Sequence, residues 1–111
     1  MKRLMVFVLM TLLMLLPALV VANASEFTTF DPPGSITTYS NAINPAGVIT
    51  GGYYDASSVG HGFVRAPDGT LTTFDVPGAI DTAPLGINPA GAITGFYYDA
   101  SSVPHGFLWI P

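Results

Sequence analysis

The chain has 111 residues, three Lys or Arg against seven Asp or Glu for a net charge of −4, and no cysteine. The acidic balance excludes a nucleic-acid binder and a protein held electrostatically on anionic lipid, since both need clustered Lys/Arg to offset phosphate; the missing cysteine excludes a disulfide framework. Half of the residues are hydrophobic and only 9% are charged, too apolar for a solvated coil, and the wealth of Gly, Thr, Tyr and Pro is a β composition.

Residues 1–24 read as a helical signal peptide. Lys2 and Arg3 precede an apolar run over residues 4–16 that only Thr11 interrupts, Pro17 ends it, and Ala22-Asn23-Ala24 supplies the small-x-small pattern of a cleavage site. Cleavage after Ala24 is expected, sending residues 25–111 to the cell envelope or the exterior with no stable membrane span; a retained leader, apolar over residues 4–21, would instead be nearly long enough to anchor the chain. The remaining domain keeps Arg65 as its one cation against seven acids, a net charge of −6.

Within that domain a block of 44 residues occurs twice. Residues 27–67 align with residues 71–111 without a gap, and 27 of the 41 pairs are identical. A fixed period of this size marks a repeat architecture in which each copy is one supersecondary unit stacked on its neighbour. Repeat 1 covers about residues 27–70 and repeat 2 about residues 71–111.

Each copy reads as four short strands in a meander. In the first they are expected at residues 27–31, 39–44, 48–54 and 61–66, and in the second at residues 70–75, 85–88, 92–98 and 105–110. The turns are explicit. Val76-Pro77-Gly78 suits a type II turn, Asn88-Pro89-Ala90-Gly91 a type I turn, and Pro67-Asp68-Gly69 passes the chain from one copy to the next. Residues 92–98 carry no charge on either face before Asp99, as expected of a strand covered on both sides. Gly51 and Gly95 fall inside equivalent strands, where glycine admits a close backbone approach or a bulge. The fold class is therefore all-β: two tandem four-stranded, propeller-blade-like meanders. Closed rings hold about 4–8 such units, so two periods suggest a truncated array or several chains sharing one ring. The opening strand of one copy could complete the sheet left open at the end, within the chain or across chains, so that self-association through ring or edge-strand pairing is one partner to expect, beside a glycan or peptide.

The candidate chemistry is sparse. His61 and His105 are the only histidines and follow Asp55 and Asp99, but zinc takes three or four ligands, and a histidine that opens a strand and bonds a loop backbone accounts for both. The Asp-Ala-Ser-Ser stretches lack the alternating acids of a calcium loop and read as Asx turns. No nucleophile elbow accompanies the serines. No catalytic residue, metal site or cofactor is predicted, and the chain is read as non-enzymatic. Tyr54, Tyr98 and Trp109 are the candidate ligand-binding surface, because aromatic faces stack on apolar patches of a glycan or peptide; core packing between sheets is the other use of such rings.

The pattern Ile-Asn-Pro-Ala-Gly, then Ile-Thr-Gly, Tyr-Tyr-Asp and His-Gly-Phe resembles the HAF family of bacterial extracellular repeats. Gly62 and Gly106 stand where that family has alanine, and Arg65 stands where the second copy has Trp109. The resemblance implies export and propeller-type β repeats, and it brings no catalytic residues. The function expected is a structural or surface-binding role, the alternative being a carbohydrate-binding module built on the paired tyrosines.

Overall fold

A computed structural model describes residues 24–111; the expected helical leader lies outside the described residues apart from Ala24. The described chain is all-β. Its seven strands are β1 Ser35–Ile43, β2 Ile49–Asp55, β3 Gly60–Arg65, β4 Leu71–Phe74, β5 Asp81–Ile87, β6 Ile93–Tyr98 and β7 Pro104–Trp109. Among the described residues no helix is long and apolar enough to cross a membrane.

The strands form one open sheet in the order β1-β2-β3-β5-β6-β7, with β4 pairing on β3. Two antiparallel runs compose it: β1 to β4 pair in succession, and so do β5 to β7. The first four strands are called here the first array and the last three the second array. Only one parallel bridge, Gly60 to Asp81, joins their backbones. The sheet thus forks at β3, whose first residue meets β5 while residues 62–65 pair with β4.

Turn chemistry sets the strand ends. Gly78 has φ +80° and the Ala79 N–H donates to Val76 O at 3.0 Å, the positive-φ geometry that Pro-Gly favours in a type II turn. Residues 88–91 close with Gly91 N–H to Asn88 O at 3.0 Å, and the Asn88 side chain also accepts from Ala92 N–H. Seven of the eight strands expected from the sequence are present. Two of them, β1 and β5, begin four residues before the expected start (35 against 39, 81 against 85). Pro84 lies inside β5, where a proline would normally end a strand, but a register shift between Pro84 and Gly86 places it at a bulge that needs no N–H from it. The eighth expected strand, residues 27–31, has no strand partner among the described residues.

The same bulge explains the mid-strand glycines. A Cβ on Gly95 would overlap the Ala83 carbonyl oxygen, and one on Gly51 would overlap that of Tyr39. The irregular strand in each array is pressed onto its neighbour at the one residue without a side chain. The core is small. Phe63 and Ile93 are fully buried, with Thr50, Pro32 and Pro84; the Thr50 hydroxyl donates to Phe63 O at 2.9 Å, so burying it leaves no unpaired group. Gly95→Ala is expected to lower unfolding stability by about 1–3 kcal/mol through this overlap. Gly86→Ala, whose Cβ would meet only Thr94 Cγ2 at 3.6 Å, should cost much less in the same urea titration; equal effects would contradict the close approach.

Candidate functional site

Two features make up the candidate site, and one of them recurs at the 44-residue offset. The first is an Asp–His lock on each β-hairpin. Asp55 Oδ1 accepts from the Ser57 and Val59 N–H groups at 2.8 and 3.1 Å, and its Oδ2 lies 2.8 Å from His61 Nε2. Asp99 does the same with Ser101, Val103 and His105. The Asx turns expected from the sequence are thus present, with Ser58 and Ser102 at positive φ. The histidines differ from expectation: each ring bonds a carboxylate and not a loop backbone. His61 goes further, since its Nδ1 lies 2.7 Å from Asp75 Oδ1, just beyond β4. With both ring nitrogens against carboxylates, which only accept when ionised, a doubly protonated ring satisfies both. His61 therefore has no free nitrogen with which to activate a serine.

The electrostatics follow. The Asp55 hydrogen bond, helped by Asp75 and opposed by partial burial, holds the His61 pKa above its ordinary 6.5. The His61 bond, then the Val59 amide, holds Asp55 below its ordinary 3.8, and the His105 bond likewise lowers Asp99. Among the described residues no group of three or more His, Cys, Asp or Glu is placed to hold a metal ion.

The second feature is a cleft between the arrays. It encloses about 320 Å³, at the lower end of the roughly 300–1,000 Å³ usual for ligand pockets. Tyr54 from β2 and Tyr98 from β6 both line it, each beside a second ring. Tyr39 meets Tyr54 edge-on at 6.2 Å, and Phe96 meets Tyr98 edge-on at 5.7 Å. Tyr54 is 39% exposed. The neighbouring tyrosine rings pack on the histidines, Tyr53 against His61 and Tyr97 against His105; Tyr53 still contributes to the cleft lining and Tyr97 does not. Polar groups reach the cleft as Asp81, whose Oδ1 accepts from Gly60 N–H at 2.6 Å, and as Asn41, whose amide donates to Pro84 O at 2.7 Å.

Trp109 is not part of this cleft. It stacks on Phe74 with centroids 5.4 Å apart and 11° between planes, beside a shallower groove of about 150 Å³. The structure thus brings Tyr54 and Tyr98 together and separates Trp109 from them. Tyr39, Asn41 and Asp81 were not singled out by the sequence reading. One signal could have found them: seven of the eleven lining positions differ between the two copies, although 27 of 41 aligned positions are identical. The cleft is built where unlike faces of the two copies meet.

Compared with known proteins, the chain matches no family model, no curated protein and no solved structure.

The His61 lock has a defined pH window. Its pKa is raised on folding, so its contribution is complete below about 6.5 and is lost as pH rises through the higher folded value; Asp55 is lowered, so its contribution is complete above about 3.8 and is lost on acidification. Thermal melts should show stability falling as pH is raised from just below 6.5 to well above it, and His61→Gln should reduce that slope; an unaltered slope in the variant would contradict the lock.

Proposed function

We propose that the chain is a non-enzymatic, exported β-repeat protein that binds a glycan in the cleft between two blade-like repeats. Three observations support the blade-like reading: the 44-residue period, the antiparallel meander of β1 to β4, and the resemblance to HAF-type repeats. The leader, residues 1–24, supports export to the envelope or exterior of a bacterial cell.

The observation that carries the binding reading is the convergence of Tyr54 and Tyr98 on one cleft rather than between packed layers. Sugar rings present apolar C–H faces and a rim of hydroxyls. Two aromatic pairs meet the faces, and the Asp81 carboxylate and Asn41 amide meet hydroxyls, which is the division of labour that small-ligand sites use. A peptide has fewer flat apolar faces to offer these rings. The fully engaged His61 favours a binding role over hydrolysis.

Calorimetric titration of the full chain with cello- and chito-oligosaccharides tests this. Saturable binding to one of them is expected. Tyr98→Ala should weaken it by about 1–2 kcal/mol, roughly 5- to 30-fold, while Val103→Ala, in an exposed loop outside the cleft, leaves it unchanged. Binding to none of these sugars, or binding indifferent to Tyr98→Ala, would reject the glycan reading and leave the structural role.

A further inference from the structure

Strands β3 and β7 have nearly the same sequence, Gly-His-Gly-Phe-Val-Arg and Pro-His-Gly-Phe-Leu-Trp, in opposite surroundings. Phe63 in β3 is fully buried; Phe107 in β7 is half-exposed and Leu108 is 68% exposed. The difference is β4. It pairs with β3 in the register Gly62–Phe74, Phe63–Thr73, Val64–Thr72 and Arg65–Leu71. It lays the Phe74 ring over Gly62, where a Cβ would come within 2.7 Å of the ring, and it delivers Asp75 to His61 Nδ1. Among the described residues nothing does this for β7. A Cβ on Gly106 would meet nothing nearer than 3.9 Å, and His105 Nδ1 has no hydrogen-bond partner.

The chain also holds a second copy of the strand that is wanted. Residues 27–31, Phe-Thr-Thr-Phe-Asp, repeat residues 71–75, Leu-Thr-Thr-Phe-Asp, at four of five positions. They have no strand partner, and Phe27 is 96% exposed. They are nonetheless placed. The Phe30 ring meets Phe63 edge-on at 5.7 Å and 73°, and Phe74 meets Phe107 at 6.3 Å and the same 73°. Arg65 covers Phe30 at 5.0 Å, where Trp109 covers Phe74. Residues 27–31 therefore sit against the first array as β4 sits against the second: in the position of the last strand of a preceding array. Packed there, they are at the far end of the strand order from β7 in their own chain.

From these two halves of one contact we propose that a second copy of this chain donates residues 27–31 to β7, head to tail. The register copies β4 on β3. Phe30 of the incoming copy covers Gly106, Thr29 lies opposite Phe107, Thr28 opposite Leu108 and Phe27 opposite Trp109, and Asp31 reaches His105 Nδ1. The incoming segment need not leave its own first array, because Phe74 already makes both contacts at once: its backbone belongs to β4 while its ring packs on the second array. The contact is heterologous, so it propagates until it closes. The proposal does not depend on what the cleft binds.

The test uses the absence of native cysteine. Native mass spectrometry of the purified full chain should give an assembly of two or more copies. When a Thr28→Cys chain is mixed with a Leu108→Cys chain under mild oxidation, directly opposed residues of an antiparallel pair lie close enough to link. A disulfide-bonded heterodimer should then form well ahead of a Thr28→Cys and Ser101→Cys control mixture, Ser101 being in an exposed loop. A single-chain mass would overturn the proposal, as would a cross-linking yield no higher than that of the control. Failure here would not touch the sugar titration, and failure of that titration would not touch this.

Discussion

The rest of the structure depends on the seam between the two arrays, which β5 forms against β1, β2 and β3 and which is extended by strand β4, a member of both arrays at once. Its backbone closes the first array on β3, while Phe74 stacks on Trp109 and meets Phe107 in the second. Strand β5 packs on β1, β2 and β3: Pro84 is fully buried close to Gly52 and Gly62, Asp81 pairs with Gly60 and accepts from its N–H, and the Asn41 and Asn44 amides donate to Pro84 O and Asn88 O. A core with so few fully buried apolar side chains cannot rely on burial alone. It relies also on the seam between the arrays and on a phenylalanine ring from the preceding segment, Phe30 on the first array and Phe74 on the second.

Much of this was legible in the sequence because it is local. The strand positions of β2, β3, β6 and β7 came from Pro-Gly and Asn-Pro-Ala-Gly turns, which act within a few residues of where they occur. The Asp-Ala-Ser-Ser loops were read correctly as Asx turns for the same reason. What was not legible is pairing. Nothing within residues 27–31 distinguishes them from residues 71–75, yet only the second set has a strand to pair with. The strand expected at residues 85–88 starts instead at Asp81, because Pro84 is accommodated by a bulge in β5 that appears only when β5 pairs with β6. The histidines were assigned a backbone partner when a carboxylate six residues back was the nearer acceptor. The sequence contained that clue too, since Asp and His keep their spacing in both copies.

The candidate site divides along the same line. Tyr54 and Tyr98 could be named from the aromatic pairs. Asn41 and Asp81 could not, because each becomes part of the cleft only when β1 and β5 come face to face across the two arrays. Near-identical repeats carry the shared requirements of folding at matching positions, such as the Thr50 and Thr94 hydroxyls on Phe63 O and Phe107 O. The cleft takes most of its lining from the positions that are free to differ.

The double membership of β4 can be observed directly, since Trp109 is the chain's one tryptophan and its indole signals are unambiguous. The most direct measurement is a nuclear Overhauser spectrum of the folded chain with Phe74 selectively labelled. The account predicts cross-peaks from the Phe74 ring to the Trp109 indole, together with cross-peaks from the Phe74 backbone to Gly62. Contacts to Gly62 without any to Trp109 would make β4 an ordinary edge strand of the first array and would contradict its part in joining the two arrays.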